Sequence, residues 1–329
     1  MAPIPDYRGF AALVANLPRI LRAVWTIGDR ESVFIGRLPE PVSLLLFLRA
    51  RFLRARFISL VVADPAQLAL VLWNRPGRHQ AASVLAAITR HCVRKSAAVV
   101  YVTQRWLQEL YPAAAGTPTL ARSNVTFGSD AFVVNSRTYG PRESMRCRLV
   151  TVGTLATRTK GVDLLCQAVA RLRAEGLDIS LDVVGGGAVI DELKDLANDL
   201  GVSSVIRFLG YLDDPGQMRE FLDEADVYVS ASRAEGLPRA TIEAMARALP
   251  VVSTRAGGSA EIVDDRCLVD IDDLPGLVKT IARIVRDPAE MERLSEKSLR
   301  VAHEVSGLAS GDRLSDFLRY TSVRAAQSN

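Results

Sequence analysis

The chain has 329 residues, enough for two domains of ordinary size that each bury a core of their own. Although 49% of it is hydrophobic, no apolar run reaches the roughly 18 residues that a membrane-spanning helix needs. The start carries Asp6, Pro3 and Pro5 in place of the basic end and apolar stretch of a secretory signal.

The net charge of +4 is divided unevenly, +12 over residues 1–150 and −8 over residues 151–329. A basic N-terminal half points to an anionic partner there: a phospholipid surface, a lipid pyrophosphate acceptor or nucleic acid. Nucleic acid fits worst, because no basic stretch is interleaved with aromatics and no helix-turn-helix signature is present. A solvated arginine-rich surface is the plain alternative. Four scattered cysteines, Cys92, Cys147, Cys166 and Cys267, and three histidines, His79, His91 and His303, suit a reducing compartment and offer no metal-ligand spacing.

In chain order, Phe10 to Trp25 is amphipathic, Ser32 to Ile35 reads as a strand and RLPEP as a turn. Leu44 to Arg56 reads as a helix with Arg49, Arg51, Arg54 and Arg56. Such a helix could lie on a membrane interface, or could cover a sheet with its arginine heads in water. Phe57 to Ala63 is a buried strand, and Asp64 at its carboxyl end is either an acceptor-side residue or a helix cap. Ser83 to Arg94, Ala97 to Thr103 and Gln104 to Leu110 continue as helix, strand and helix. This alternation gives a Rossmann-like N-terminal domain. Residues 113–147 are polar and rich in small residues, with a domain boundary expected near Arg142 to Arg148. Asn124-Val125-Thr126 matches a glycosylation acceptor and is read as chance.

The C-terminal half repeats the pattern more cleanly. Strand Leu149 to Val152 leads into GTLATRTKG and a helix from Val162 to Glu175. Strand Ile179 to Val184 ends in Gly185-Gly186-Gly187, where glycine lets a backbone approach a ligand. After helix Val189 to Leu200 comes VIRFLGYL, and after a short helix, Gln217 to Asp223, the strand Ala225 to Val229. The loop that follows holds Glu235. Pro238 suits a first helical position, and Leu249-Pro250 stops that helix before strand Val251-Val252.

Ligands of such sheets bind outside the carboxyl ends of the strands. Glu235 in the loop and Glu243 in the helix can converge on one ligand, with the free N–H groups at Gly236 and Leu237 and the helix N-terminus between them for an anion. Taken as a bare spacing, an acidic loop plus an exposed helical glutamate is the simpler reading. Asp270-Ile271-Asp272 spells an Asp-x-Asp that could chelate a metal, but in VDIDDLPG a strand end and helix cap explain it better. Two amphipathic helices, Leu274 to Arg286 and Glu290 to Glu304, precede a tail helix over residues 311–323.

The string RAEGLPRATIEAMARALPVVST resembles the donor-site signature of glycosyltransferase family 4, and the resemblance runs from about Leu149 to Val269. It implies an α/β GT-B fold, two Rossmann-like doubly wound domains facing across a cleft. Members of that class start with a strand and a Gly-rich loop, so the N-terminal domain is expected to be shortened, lacking its first strand. The expected division is an acceptor-binding domain over 1–147, a nucleotide-sugar donor domain over 148–310, and a crossover helix and tail over 311–329.

The resemblance further implies a retaining, metal-independent glycosyltransferase that needs no cofactor and takes a nucleotide diphosphate sugar as donor. The acceptor would be a saccharide or lipid-linked molecule, in polysaccharide or glycolipid assembly; the expected location is cytoplasmic, with a peripheral place at the inner face of the membrane suggested by the basic N-terminal half and Arg49 to Arg56. Glu235 would hold the sugar and its reacting face, and Glu243 the ribose. Lys160 matches the family's diphosphate lysine, while Thr154, after Gly153, stands where an arginine is expected; Arg158 could supply part of that charge. Gly185 and Gly186 occupy the second glycine turn, Arg207 to Gly210, with Phe208, line the base, and Gly236, Leu237 and Pro238 complete the donor loop. Two other readings stay open: a donor-binding scaffold without turnover, and a nucleotide-sugar epimerase.

Overall fold

The computed structural model describes residues 9–72, 76–123, 125, 127–140, 146–309 and 311–326. By their internal contacts these form two compact units. One holds the described residues up to Ala66, from His79 to Arg122 and from residue 311 onward; the other holds those from Gln67 to Arg78 and from Ser123 to Ala309. The boundary expected near Arg142 to Arg148 falls largely on residues 141–145, and the Asn124-Val125-Thr126 match on 124 and 126, all outside the described residues.

The first unit runs α1 (Gly9–Thr26), β1 (Val33–Leu38), α2 (Pro41–Leu53), β2 (Arg56–Val61), α3 (Pro65–Leu72), α4 (Arg78–Arg94), β3 (Ala98–Tyr101), α5 (Trp106–Leu110) and β4 (Thr119–Ala121). Within α3, the residues from Gln67 on belong to the second unit. The four strands form a parallel sheet in sequence order. Strand β1 runs further than its sequence suggests, through Arg37 and Leu38, because those residues pair with Leu60 and Val61 of β2 and keep alternate side chains buried.

The second unit runs β5 (Cys147–Val152), α6 (Val162–Ala174), β6 (Ile179–Val184), α7 (Ile190–Asp199), β7 (Ile206–Gly210), α8 (Pro215–Asp223), β8 (Val227–Ser230), α9 (Arg239–Ala246), β9 (Val251–Thr254), α10 (Ser259–Ile262), β10 (Leu268–Val269), α11 (Leu274–Val285) and α12 (Pro288–Gly307). The final helix, α13 (Gly311–Ala326), belongs to the first unit, where Leu314, Phe317 and Leu318 pack on Ile58, Ala98 and Val100.

The six strands of the second unit are all parallel, in the order β10-β9-β8-β5-β6-β7. Helices cover both faces, so β6, β8 and β9 are buried along their whole length, as their β-branched sequences demand. One charged residue lies among them. Asp182 in β6 has a side chain only 1% exposed and is matched by the guanidinium groups of Arg148, at 2.5 Å, and Arg207, at 2.6 Å. A carboxylate this deep is tolerated only when so paired. Sequence order in the sheet reverses between β5 and β8, and this is the topological switch point where doubly wound sheets open a crevice at their carboxyl ends.

Candidate functional site

Two loops meet at that switch point. The first leaves β5 at Val152, runs through Gly153 and Thr154, and makes a single 3-10 turn, Arg158–Lys160, capped by the Thr157 hydroxyl, before Gly161 enters α6. The second leaves β8 at Ser230 and reaches α9 through Glu235, Gly236 and Leu237. Lys160 and Glu235 are brought together here. Lys160 Nζ donates to Glu235 Oε1 at 2.6 Å, with the two side chains 25% and 11% exposed. The same carboxylate oxygen accepts from the Ser232 hydroxyl at 2.7 Å.

Glycine makes this juxtaposition possible. A Cβ at Gly153 would lie 3.0 Å from Cγ, Cδ and Cε of Lys160, so the bare backbone is what the lysine stem rests on. Gly161 has φ +64°, and a Cβ there would fall 1.9 Å from the Ala231 carbonyl oxygen, which shows how tightly one loop is seated on the other.

Arg233 ties the two loops together. Its guanidinium forks onto both oxygens of Asp163, each at 2.9 Å, and donates to the Arg158 carbonyl at 2.6 Å and to Asp272 Oδ1 at 2.7 Å. Its own N–H donates to the Thr159 carbonyl at 2.7 Å. Ser232 was not singled out from the sequence, because a lone loop serine carries no signal, nor were Arg233 and Asp163, because they lie 70 residues apart along it. The same holds for Gln67 in the second unit, whose Oε1 accepts from the Glu235 N–H at 3.3 Å. Asp272, dismissed as half of a metal motif, serves this network. Tyr228 underlies the site. Burial, and then the Glu235 charge, push its phenol well above the usual range, so it is a neutral donor to the Val152 carbonyl.

The second glycine turn behaves differently from an open phosphate cradle. Gly185, at φ +127°, presses its backbone on that of Gly153; a Cβ would fall 1.9 Å from the Gly153 carbonyl oxygen. The Gly186 carbonyl accepts from the Leu155 N–H at 2.9 Å and from the Tyr211 hydroxyl at 2.7 Å. These glycines therefore lock the β5 loop in place from the other side. Gly210, at φ +71°, accepts from the Gly185 N–H at 2.7 Å, and Phe208 packs half-buried against the core.

Pro238 is the N-cap of α9, with φ −75° and ψ 100°, one residue earlier than expected, and the helix begins at Arg239. Gly236 is held by the glycine turn after β9, its carbonyl accepting from the Gly258 N–H at 2.7 Å, and Leu237 is packed half-buried against the core. Glu243 is paired with Arg239 at 2.9 Å and opens on a cavity of about 460 Å³, whose walls include Phe127, Leu212, Asp213 and Met218. Such a cavity, in which apolar walls alternate with Asp213, Glu243, Arg219, Arg239 and Arg247, has the dimensions of a small-molecule site.

Other candidates have structural partners. Thr154 Oγ1 accepts from the Ala156 N–H at 3.3 Å within its turn, and Arg158 pairs with Glu192 at 2.8 Å on the surface. In the first unit, Asp64 caps α3 through the Ala66 N–H at 2.9 Å and accepts from the buried Tyr111 hydroxyl. The four cysteines are free and buried, and burial pushes the Cys166 thiol up to about 12. Among the described residues no group of three or more His, Cys, Asp or Glu side chains is placed to hold a metal, and no helix is long and apolar enough to cross a membrane.

Two Rossmann-like parallel-sheet units, the second with a loop pair at its switch point, place the chain in the GT-B fold class. Sucrose-phosphate synthase from Thermosynechococcus elongatus superposes over 98% of this chain and 81% of its own, with a TM-score of 0.72 at 18% identity. Anabaena HepE in complex with UDP-glucose superposes over 97% of this chain and 86% of its own, with a TM-score of 0.68 at 15% identity. Residues 146–287 match the family described as Glycosyl transferases group 1. The lipopolysaccharide core biosynthesis glycosyltransferase LpsE of Rhizobium meliloti is 38% identical over 152 residues, which is 45% of this chain and 42% of LpsE. The chain thus spans about two fifths of the length of that curated relative.

Proposed function

We propose that the protein is a retaining, metal-independent glycosyltransferase that moves a sugar from a nucleotide diphosphate donor to a saccharide or lipid-linked acceptor. One observation carries this reading: Lys160 and Glu235, from loops that follow adjacent strands at the switch point, stand 2.6 Å apart. A cation for the diphosphate and an anion for sugar hydroxyls are what a nucleotide sugar needs at its reacting end. Support comes from the similarity of residues 146–287 to group 1 glycosyl transferases and from the fold shared with a UDP-glucose complex.

Lys160 and Glu235 satisfy each other's charge. An arriving diphosphate draws the Lys160 ammonium onto its oxygens and frees the Glu235 carboxylate to accept from the sugar hydroxyls. The bond from the anomeric carbon to the phosphate oxygen breaks while the acceptor oxygen bonds to that carbon. The acceptor hydroxyl gives up its proton to the departing phosphate oxygen, and the electron pair of the broken bond leaves with the nucleoside diphosphate. Lys160 and the amides of Gly236 and Leu237, in the loop just before α9, stabilise that leaving charge. Glu243 holds the ribose at the rim of the cavity. The first unit supplies the acceptor site, and the name of the relative LpsE suggests a lipid-linked saccharide as acceptor.

The direct test incubates the protein with a panel of nucleotide diphosphate sugars and follows release of nucleoside diphosphate, with and without lipid-linked saccharide. Release from one donor, lost in Glu235→Gln while that variant still binds the donor, is the expected result. Equal release by Glu235→Gln would refute the assignment.

A further inference from the structure

The two helices at the start of the first unit leave an unusual amount of apolar surface uncovered. On α1 the exposed apolar residues are Val14 (52%), Leu17 (38%), Leu21 (37%) and Trp25 (43%). At 3.6 residues per turn these four fall within about 80° of one another, beside the buried face made by Ile20, Ala23 and Val24. On α2 the buried residues are Ser43, Phe47 and Ala50, and Leu48 (53%) and Phe52 (70%) point the opposite way. The two stripes join where the rings of Trp25 and Phe52 meet with centroids 6.4 Å apart. Scattered apolar residues on a surface are ordinary; a continuous band of six across two packed helices is not.

The charge on the two helices that carry this band has a single sign. Helix α1 carries Arg19 and Arg22 and helix α2 carries Arg49 and Arg51, and neither helix contains an acidic residue. Helical geometry sets Arg51 and Arg49 on either side of the Leu48 and Phe52 row, and Arg22 beside the α1 row. The Arg49 guanidinium lies 5.8 Å from the Phe52 ring centroid, its stem along the apolar band. Aromatic and aliphatic side chains on one surface with arginines along the rim are the pattern of helices that rest in a bilayer interface, the apolar part among acyl chains and the guanidinium groups at the phosphates. Neither helix meets the requirement for crossing a membrane.

We infer that the face made by α1 and α2 docks the protein on an anionic phospholipid surface, with Leu21, Trp25, Leu48 and Phe52 entering the interface and Arg22, Arg49 and Arg51 binding lipid phosphates. The charge of the rim decides the partner, because an apolar band meant for a second copy of the chain would bring two all-positive rims together. The inference stands apart from the donor site and does not depend on turnover.

Co-sedimentation of the purified protein with vesicles tests it, comparing phosphatidylcholine alone with phosphatidylcholine mixed with phosphatidylglycerol. Binding to the mixed vesicles at low salt, weakening as salt rises, is expected, with little binding to phosphatidylcholine. Arg22→Ala and Arg51→Ala should each weaken partitioning about five-fold. The double variant Leu48→Ser, Phe52→Ser should release the protein to the supernatant while its thermal unfolding is unchanged, since both side chains face solvent. Trp25 reports directly: its emission should shift to the blue on adding mixed vesicles, and Trp25→Phe should lose that shift. Three results would overturn the inference: no binding at low salt, binding indifferent to Leu48 and Phe52, or a blue shift that follows protein concentration without vesicles and marks the face as a contact with a second copy.

Discussion

Lys160 Nζ and Glu235 Oε1 stand 2.6 Å apart across two loops that are separated by 75 residues in sequence. Each charge is partly withdrawn from water, so each depends on the other. Removing one alone leaves the partner half-buried and uncompensated, whereas removing both takes away the need. Lys160→Met and Glu235→Gln should therefore each lower the unfolding free energy, and the double variant should lose less than the sum, with a coupling of about 1–2 kcal/mol. Denaturant unfolding of the four proteins measures this. Strictly additive losses would mean that the pair contributes nothing in solution.

Donor affinity should separate the two residues where stability does not. Lys160→Met removes the point charge for the diphosphate and should weaken binding of a nucleoside diphosphate about ten-fold or more, in line with loss of a charge-assisted hydrogen bond. Glu235→Gln should leave that affinity similar or raise it, since the ammonium is no longer held by a carboxylate. Calorimetric titration with UDP and GDP distinguishes the cases. Weaker nucleoside diphosphate binding by Glu235→Gln would place the carboxylate elsewhere than at the sugar.

Backbone contact between the loops gives a sharper stability test. A methyl group at Gly161 would meet the Ala231 carbonyl oxygen at 1.9 Å, and φ is +64° there, so neither space nor conformation admits a side chain. Gly161→Ala should lower the melting temperature by several degrees and weaken donor binding, while Gly176→Ala, also at positive φ but with open space around it, should cost only the conformational strain. Equal effects of the two would show that the contact yields easily.

What the sequence disclosed follows the range of each signal. The strand before Glu235 is β-branched and followed by Pro238, so the unit from β8 through α9 to β9 can be read locally, while its bounds shift: β8 begins at Val227, and α9 begins at Arg239 and ends at Ala246. The stretch PAQLALVL in α3 is an apolar run with no helical period to display, and β4 is three residues long and paired on one side only, so both escape a reading by pattern. Lys160 is visible only through its family resemblance, since a lysine in a loop is otherwise unremarked. The Arg233 network is invisible in one dimension, because Asp163 is 70 residues before Arg233 and Asp272 is 39 after it. Asp64 sits at a strand end like a site residue, yet its partner Tyr111 is 47 residues away and turns it into a structural acceptor.

Acid should weaken the second unit through Asp264. Burial pushes its carboxyl up, but the Arg266 N–H, the Lys297 ammonium and the Arg293 guanidinium outweigh that and bring it from 3.8 to about 2. A value lower in the folded than in the unfolded state contributes stability above about pH 4 and loses it as pH falls toward 2, a contribution of roughly 2 kcal/mol. Asp264→Asn should be less stable at neutral pH and should show a shallower loss between about pH 4 and 2. The unfolding free energy measured across that range checks it; identical acid profiles would assign the loss to other carboxylates such as Glu290, which its arginine partners also hold low.

Arg233 should act as a positioning residue for the pair it adjoins. Its planar fork holds both oxygens of Asp163 and reaches Asp272 and the Arg158 carbonyl at once, which an ammonium cannot reproduce. Arg233→Lys keeps the charge and loses the fork, so the loop carrying Lys160 gains freedom relative to the loop carrying Glu235. Nucleoside diphosphate affinity should fall about ten-fold at a temperature well below the melting point, and Asp163→Asn should fall less because an amide still accepts one of the two bonds. If Arg233 serves stability alone, Arg233→Lys would melt earlier yet bind the nucleotide as the parent does at low temperature, and the positioning role would be lost.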